Sequence, residues 1–78
     1  MTRNESHVLL YIRNHTQNQG IPPTYQEMAH SLNIKSRSNI HRIVTSLVNQ
    51  GFITKKIGSV RACFLTASGN EYAQQIQK

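Results

Sequence analysis

Residues 36–51, SRSNIHRIVTSLVNQG, combine side chains that could bind another molecule with a clear periodicity. Apolar residues recur at i, i+4, i+7 and i+8 from Ile40 to Val48, which predicts a helix with one buried face. The rest of its surface carries hydroxyl, amide, imidazole and guanidinium groups and no acid, and such groups can bind base edges or phosphates. The candidates for base edges are Ser38, Asn39, His41, Arg42 and Thr45. For an isolated amphipathic helix, an ordinary solvated face would be the simpler interpretation.

Positive charge is concentrated around this segment. The chain has nine Lys and Arg residues against three Asp and Glu residues, which gives a formal net charge of +6 and a pI near 10.1. No acid lies between Lys35 and Arg61. The basic residues of that span are Lys35, Arg37, Arg42, Lys55, Lys56 and Arg61. This distribution predicts an anionic partner, with nucleic acid favoured over a membrane surface.

Length and composition predict one small domain over residues 1–78 with a modest core. Cys63, the only cysteine, excludes an internal disulfide and is typical of a small buried residue. The N-terminal segment MTRNES lacks the apolar run of a signal peptide, and no stretch approaches the ~20 apolar residues of a membrane span. We therefore expect a cytoplasmic protein.

Signals for catalysis are missing from the sequence. There is no Gly-rich phosphate loop, no pair of carboxylates and no cysteine with an assigned histidine partner. His7, His15, His30 and His41 do not have metal-ligand spacing. We expect neither an enzyme nor a protein that needs a metal, a cofactor or a small-molecule ligand.

Three helices are predicted to position the polar segment. The first covers Asn4 to Asn18, with Leu10 opposite its apolar face, where it could contact a partner chain. Thr24 and Glu27 form a capping-box pattern that starts the second helix, which ends near Leu32. Asn33 can take a left-handed turn, and Ser36 can cap the third helix a few residues later. Two short helices joined by such a turn are typical of a helix-turn-helix.

The hydrophobic period changes from 3.6 to 2 after Gly51, which predicts a hairpin from residues 52–57 and 60–65 with a turn at Gly58-Ser59. Pairing Ile57 with Val60 would put Lys56 and Arg61 on one face and Lys55 on the other. A longer loop with a shifted register is the alternative.

A final helix is predicted after the hairpin, with Thr66 as its cap. Tyr72, Ala73 and Ile76 form a narrow apolar stripe along it. This stripe either packs on the first helix or pairs with its copy in a second subunit.

The segment GIPPTYQEMAHSLNIKSRSNIHRIVTSLVNQGFI resembles the DNA-binding domain of LexA-type repressors over roughly residues 5–65, most closely the Gram-positive version. The matching features are the run from Gly20 to Thr24, Glu27, Ala29, Leu32, Ser36, Ser38, His41, Leu47 and the run from Gly51 to Ile53. The resemblance implies a winged helix-turn-helix, mainly α with a small β-hairpin: three helices, a two-stranded wing and a C-terminal helix.

Two departures from the family pattern bear on assembly. The sequence stops at Lys78, so we expect the self-cleaving, dimerising C-terminal domain of LexA repressors to be absent. The segment LTASG, residues 65–69, is instead similar to the end of the wing in MarR-like regulators, in which the following helix helps to dimerise.

The resemblance also implies a mechanism. Helix 36–50 would enter the major groove of double-stranded DNA, with Arg42 on guanine, Asn39 on adenine, and Ser38, His41 and Thr45 as further base contacts. The 52–65 hairpin would be the wing. Contacts to phosphates or the minor groove are expected from Lys35, Ser36, Arg37, Lys55, Lys56 and Arg61.

The sequence therefore predicts a sequence-specific DNA-binding transcriptional regulator, more specifically a repressor, acting as a homodimer on a palindromic or repeated site. The alternative is a protein-binding winged-helix adaptor or inhibitor that acts on a nucleoprotein complex, with Leu10, Tyr72 and Ile76 at its interface. Double-stranded RNA is disfavoured because side chains cannot read its narrow major groove.

Overall fold

The computed structural model describes residues 2–56, 58 and 63–76. The elements in chain order are α1 (Arg3–Gln19), α2 (Tyr25–Leu32), α3 (Arg37–Asn49), β1 (Ile53–Lys55), β2 (Cys63–Leu65) and α4 (Ala67–Ile76). The predicted architecture of three helices, a two-stranded hairpin and a final helix is confirmed. None of the helices in these ranges is long and apolar enough to cross a membrane.

The turn between α2 and α3 follows from the residues at its corners. Asn33 adopts a left-handed conformation with φ 55°, as its position predicted, and the Ile34 N–H donates to the Ala29 carbonyl at 2.9 Å. Ser36 then caps α3 by accepting from the Asn39 N–H at 3.4 Å. The short connection fixes α3 beside α2 in the helix-turn-helix arrangement.

The apolar face of α3 forms the centre of the core. Ile40, Val44 and Leu47 are fully buried, and Ile43 beside them is 8% exposed. The other buried apolar residues are Val8, Leu9, Ile12, Met28, Ile53, Cys63 and Ala73. Because this face is buried against α1, α2 and β1, the opposite face of α3 is held towards solvent.

The base of the hairpin is tied to the start of α4. Gly51 has φ 82°, a left-handed conformation that favours glycine, and it ends α3. The Thr66 N–H donates to the Phe52 carbonyl at 3.0 Å, and the Thr66 hydroxyl donates to the Gly51 carbonyl at 2.7 Å. Thr66 also accepts from the Gly69 N–H at 2.9 Å, which confirms it as the cap of α4. A Cβ on Gly69 would overlap the Phe52 backbone, so only glycine fits there.

The hairpin is antiparallel, with Ile53 opposite Leu65, Thr54 opposite Phe64 and Lys55 opposite Cys63. This register is one residue away from the pairing of Ile57 with Val60, and it agrees with the shifted-register alternative. β1 is shorter than the predicted run 52–57, because residues 52 and 56 lie outside it; Ile57 and Val60 are not among the described residues. Arg61 lies outside the described residues.

The apolar stripe of α4 packs back on the molecule. Tyr72 lies against Phe52 with 4.8 Å between ring centroids, and Ile76 is half-buried against the core. Arg13 of α1 donates to the Asn70 side chain of α4 at 3.1 Å. The stripe thus packs within the chain, and its pairing with a copy in a second subunit stays a prediction. Leu10, predicted to lie opposite the apolar face of α1, is half-buried and packs against the core.

Candidate nucleic-acid interface

The outward face of α3 is a continuous polar surface. Ser38, Asn39, His41, Arg42 and Thr45 are all exposed, as the periodicity predicted. The Arg42 guanidinium donates to the Asn39 side-chain oxygen at 3.3 Å, which places the two strongest candidate base contacts next to each other. We call these five residues the reading face. Their contacts with bases remain a prediction.

Basic side chains lie exposed at the start of α3 and on the hairpin. Lys35 and Arg37 are exposed at the start of α3, and Lys55 and Lys56 are exposed at the hairpin. The Ser36 side chain accepts a helix-capping bond, and its hydroxyl hydrogen remains able to donate to a phosphate. These four cations therefore belong to the two elements from which phosphate contacts are expected, the start of α3 and the hairpin.

A groove beside α3 adds a cation that the sequence analysis did not assign. An open groove of about 570 Å³ is lined by residues of the first turn of α1 and of α3, and Arg3, Asn39 and Arg42 are among them. Arg3 is therefore adjacent to the reading face although most of two helices and their connections separate it from Asn39 in the sequence. No local pattern could have indicated this neighbour, because it depends on how α1 packs on α3.

Glu5 is a second residue that the sequence analysis missed. Its side chain accepts from the Thr2 N–H at 2.7 Å, from Gln50 Nε2 at 3.2 Å and from the Ser46 hydroxyl. The residue is only 8% exposed, and the Ser46 bond, followed by the Thr2 backbone bond, lowers the pKa of Glu5. The carboxylate therefore links the first turn of α1 to α3. The capping-box pattern from Thr2 to Glu5 was the available signal.

Tyr25, at the start of α2, connects the reading face with the hairpin. The Tyr25 ring centroid lies 6.1 Å from the His41 ring centroid on α3, and Lys55 Nζ lies 5.2 Å from the Tyr25 ring centroid. The Tyr25 hydroxyl is buried and has no hydrogen-bond partner among the described residues. Sequence alone marked Tyr25 only as the residue after the cap.

The remaining predicted and chemically reactive residues lie elsewhere. Leu10, Tyr72 and Ile76, the candidate partner contacts, are half-buried on α1 and α4. Cys63 is buried, and burial raises the pKa of its thiol. Within residues 2–56, 58 and 63–76, no three His, Cys, Asp or Glu side chains come close enough together to hold a metal ion.

Comparisons with known proteins agree with this geometry. The model of the LexA DNA binding domain family matches residues 1–62. The LexA repressor of Pelagibacter ubique (strain HTCC1062) is 37% identical over 76 residues, which cover 91% of this chain and 34% of the repressor. The chain thus spans about a third of the length of this curated relative.

A solved structure shows the same fold. A point mutant of MepR from S. aureus, a winged-helix regulator of the MarR family, superposes with a TM-score of 0.75 at 20% sequence identity. The match covers 99% of this chain and 56% of that one. Because the family model covers most of the sequence and the structure has the winged helix-turn-helix fold, the chain belongs to the LexA DNA-binding domain family.

Proposed function

We propose that residues 1–78 act as one sequence-specific DNA-binding unit of a transcriptional repressor. The observation that carries the proposal is the reading face: five exposed polar side chains on α3, with no acid among them, held outward by the buried opposite face. The family membership supports double-stranded DNA as the partner. A protein with this role works in the cytoplasm, on the nucleoid, and needs no catalytic group.

Base recognition in this proposal centres on Arg42 and Asn39. A guanidinium can bind guanine O6 and N7 together, and an Asn amide can bind adenine N6 and N7 together. Each such pair discriminates against a wrong base by about 1–3 kcal/mol. The bond between the two side chains limits their freedom before DNA arrives. Ser38, His41 and Thr45 supply further base contacts.

Phosphate contacts supply most of the salt-dependent affinity. The DNA backbone is bound at the start of α3 by Lys35, Ser36 and Arg37. From the wing it is bound by Lys55, Lys56 and Arg61. The groove adds Arg3 to this group. Each neutralised phosphate contributes about 0.9 to the slope of log K against log salt concentration, so binding falls steeply as salt rises.

We further propose a homodimer, because a single reading helix covers only a few base pairs. Leu10, Tyr72 and Ile76 are its candidate contacts, through the part of each side chain that remains accessible. Two copies would place two reading faces on successive major grooves, and the operator would then be palindromic or repeated.

Selection from a pool of random duplexes, followed by sequencing, tests the proposal. At about 150 mM salt, we expect a recovered motif with two-fold symmetry. An asymmetric motif would retain the regulator and remove the dimer. Failure to recover any motif, with residual binding that disappears as salt rises, would contradict sequence-specific binding and favour a protein partner.

Two substitutions sharpen this test. Arg42→Ala should abolish enrichment of the motif, because it removes the principal base contact. Arg13→Ala removes the same charge from α1, where Arg13 is bonded to Asn70, and should leave the motif unchanged. Equal effects of the two variants would mean that charge alone carries the binding.

A further inference from the structure

Side chains from three separate elements meet at Tyr25. The Tyr25 ring belongs to the first turn of α2, His41 to α3 and Lys55 to β1. The ring centroids of Tyr25 and His41 are 6.1 Å apart with an interplanar angle of 58°, and Lys55 Nζ is 5.2 Å from the Tyr25 centroid. Both neighbours of Tyr25 are proposed DNA contacts, one on the reading face and one on the wing.

The backbone of Tyr25 is firmly held. Thr24 and Glu27 exchange both capping-box bonds around it, at 2.8 and 3.0 Å, and Pro22 and Pro23 are buried just before it. The buried hydroxyl makes no hydrogen bond within the described residues, so the contacts of Tyr25 with its two neighbours are made by the ring. The Tyr25 side chain is half-buried against the core, and its ring lies between α3 and β1.

Strand geometry explains why Lys55 reaches this ring. Side chains alternate across a strand, so Lys55 is on the same face of β1 as the buried Ile53. Cys63, the cross-strand partner of Lys55, is buried as well. Burying an ammonium group in that core would carry a large desolvation cost. At the edge of the core, the face of an aromatic ring attracts the ammonium group. Lys55 lies over Tyr25 for this reason.

We propose that Tyr25 is a positioning residue for DNA binding, whose ring fixes the wing cation Lys55 relative to His41 on the reading face. The inference rests on the proposed function. Tyr25 itself need not contact DNA: it sets the distance between a phosphate contact and a base contact. Without the ring, Lys55 would sample many rotamers and would be ordered only when the complex forms.

The measurement is a double-mutant cycle on the selected DNA, repeated across a series of salt concentrations. The variants are Tyr25→Leu, Lys55→Met and the double mutant, with Tyr25→Phe as the matched control that keeps the ring. Lys55→Met should lower the salt slope by about 0.9, the value for one phosphate. Tyr25→Leu changes no charge, and we still expect it to lower the slope by part of that amount.

The cycle should also show coupling. The two single substitutions should be non-additive by a factor of about three or more, as is common for residues in contact. Tyr25→Phe should bind with the affinity and salt slope of the original protein. The inference would be overturned if the effects of the two single substitutions on Kd simply multiplied in the double mutant. An unchanged salt slope for Tyr25→Leu would also overturn it. A loss of affinity in Tyr25→Phe would also overturn it, because the hydroxyl would then be the active group.

Proton NMR of the unsubstituted protein provides a second test that does not depend on the folding of Tyr25→Leu. The methylene protons of Lys55 next to Nζ should be shifted upfield by the Tyr25 ring current, and Tyr25→Phe should preserve the shift. Random-coil shifts for these protons would overturn the inference.

Binding of Arg42→Ala to the selected DNA distinguishes failure of the proposed function from failure of the positioning role of Tyr25. If this variant binds the selected DNA as well as the original protein, the proposed function is wrong. If it loses binding while Tyr25 and Lys55 act independently, only the positioning role is wrong.

Discussion

Two helices of this domain begin with the same local motif but use it differently. Thr2 and Glu5 form a complete capping box at α1, and Thr24 and Glu27 form one at α2. The bonds from the Glu N–H to the Thr hydroxyl are similar, at 3.2 and 3.0 Å. The surroundings differ: Glu5 is 8% exposed as a residue, whereas the Glu27 side chain is 38% exposed and lies 3.7 Å from His15 Nε2.

The difference lies in the second carboxylate oxygen. Oε1 of each Glu receives the N–H of its capping Thr. Oε2 of Glu5 then accepts from Ser46 and Gln50, both from the end of α3. Each capping box joins residues of one helix turn. In α1, Glu5 of the capping box also bonds to α3 and so holds the two helices together. For α3 this contact helps to set the direction of the reading face.

The largest expected effect comes from removing each acid. Glu5→Ala should lower the free energy of unfolding by about 2 kcal/mol, since it removes a cap and leaves Ser46 and Gln50 without their acceptor. Glu27→Ala should cost about 1 kcal/mol, the usual value of a cap. Urea denaturation followed by circular dichroism gives both numbers. Equal losses would show that the link to α3 contributes nothing.

Ser46→Ala tests the α3 side of the link. We expect a loss of about 1 kcal/mol, typical of a hydrogen bond to a charged group that is partly accessible. The adjacent Thr45→Ala is the matched control, because Thr45 is exposed on the reading face and should leave the stability nearly unchanged. In the Glu5→Ala background the Ser46 substitution should lose its effect, and full additivity would contradict the described contact.

Low pH should weaken the contact between Glu5 of α1 and Ser46 of α3. The pKa of Glu5 is lowered from its ordinary value near 4.5, chiefly by the Ser46 hydrogen bond. The folded state therefore holds the proton less tightly than the unfolded chain does. The stabilisation from Glu5 is complete above about pH 4.5 and is lost as the pH falls through the lower, folded-state value. Glu5→Gln should flatten this part of the stability curve, and a curve of unchanged shape would contradict the prediction.

The smallest effect should come from Gln50→Ala, at about 0.5 kcal/mol. Gln50 is exposed, and its amide shares its bonds between Glu5, the Ser46 hydroxyl at 3.1 Å and the Ser46 carbonyl at 3.3 Å. Thermal unfolding monitored by circular dichroism resolves the shift. A loss larger than that of Ser46→Ala would show that Gln50, and not Ser46, is the principal partner of the carboxylate.

Local chemistry made much of the fold predictable. The capping box at Thr24, the left-handed Asn33 and Gly51, and the apolar face of α3 depend only on neighbours within one turn. The reading face followed from the same periodicity, so its exposure was predictable even though its base contacts remain predictions.

Features that join distant parts of the chain were not predictable in this way. The hairpin sequence is compatible with two registers, because alternation alone does not fix the length of the loop. Helix packing brings the Glu5 carboxylate to Ser46. It also places the Tyr25 ring between His41 and Lys55. Leu10 is half-buried against the core for the same reason, because its surroundings include more than its own helix.

The hydrogen bonds of Thr66 have a consequence for redesign of the domain. Thr66 binds the carbonyls of Gly51 and Phe52, so the two ends of the hairpin are joined at its base. Because the hairpin is closed at its base, residues beyond that point can be changed or added without altering how the helices pack. The entropic cost of closing a loop grows only slowly with added residues. The segment between Lys55 and Cys63 is therefore a natural grafting position, where wings from other regulators could be exchanged to change the proposed DNA contacts while α3 stays in place.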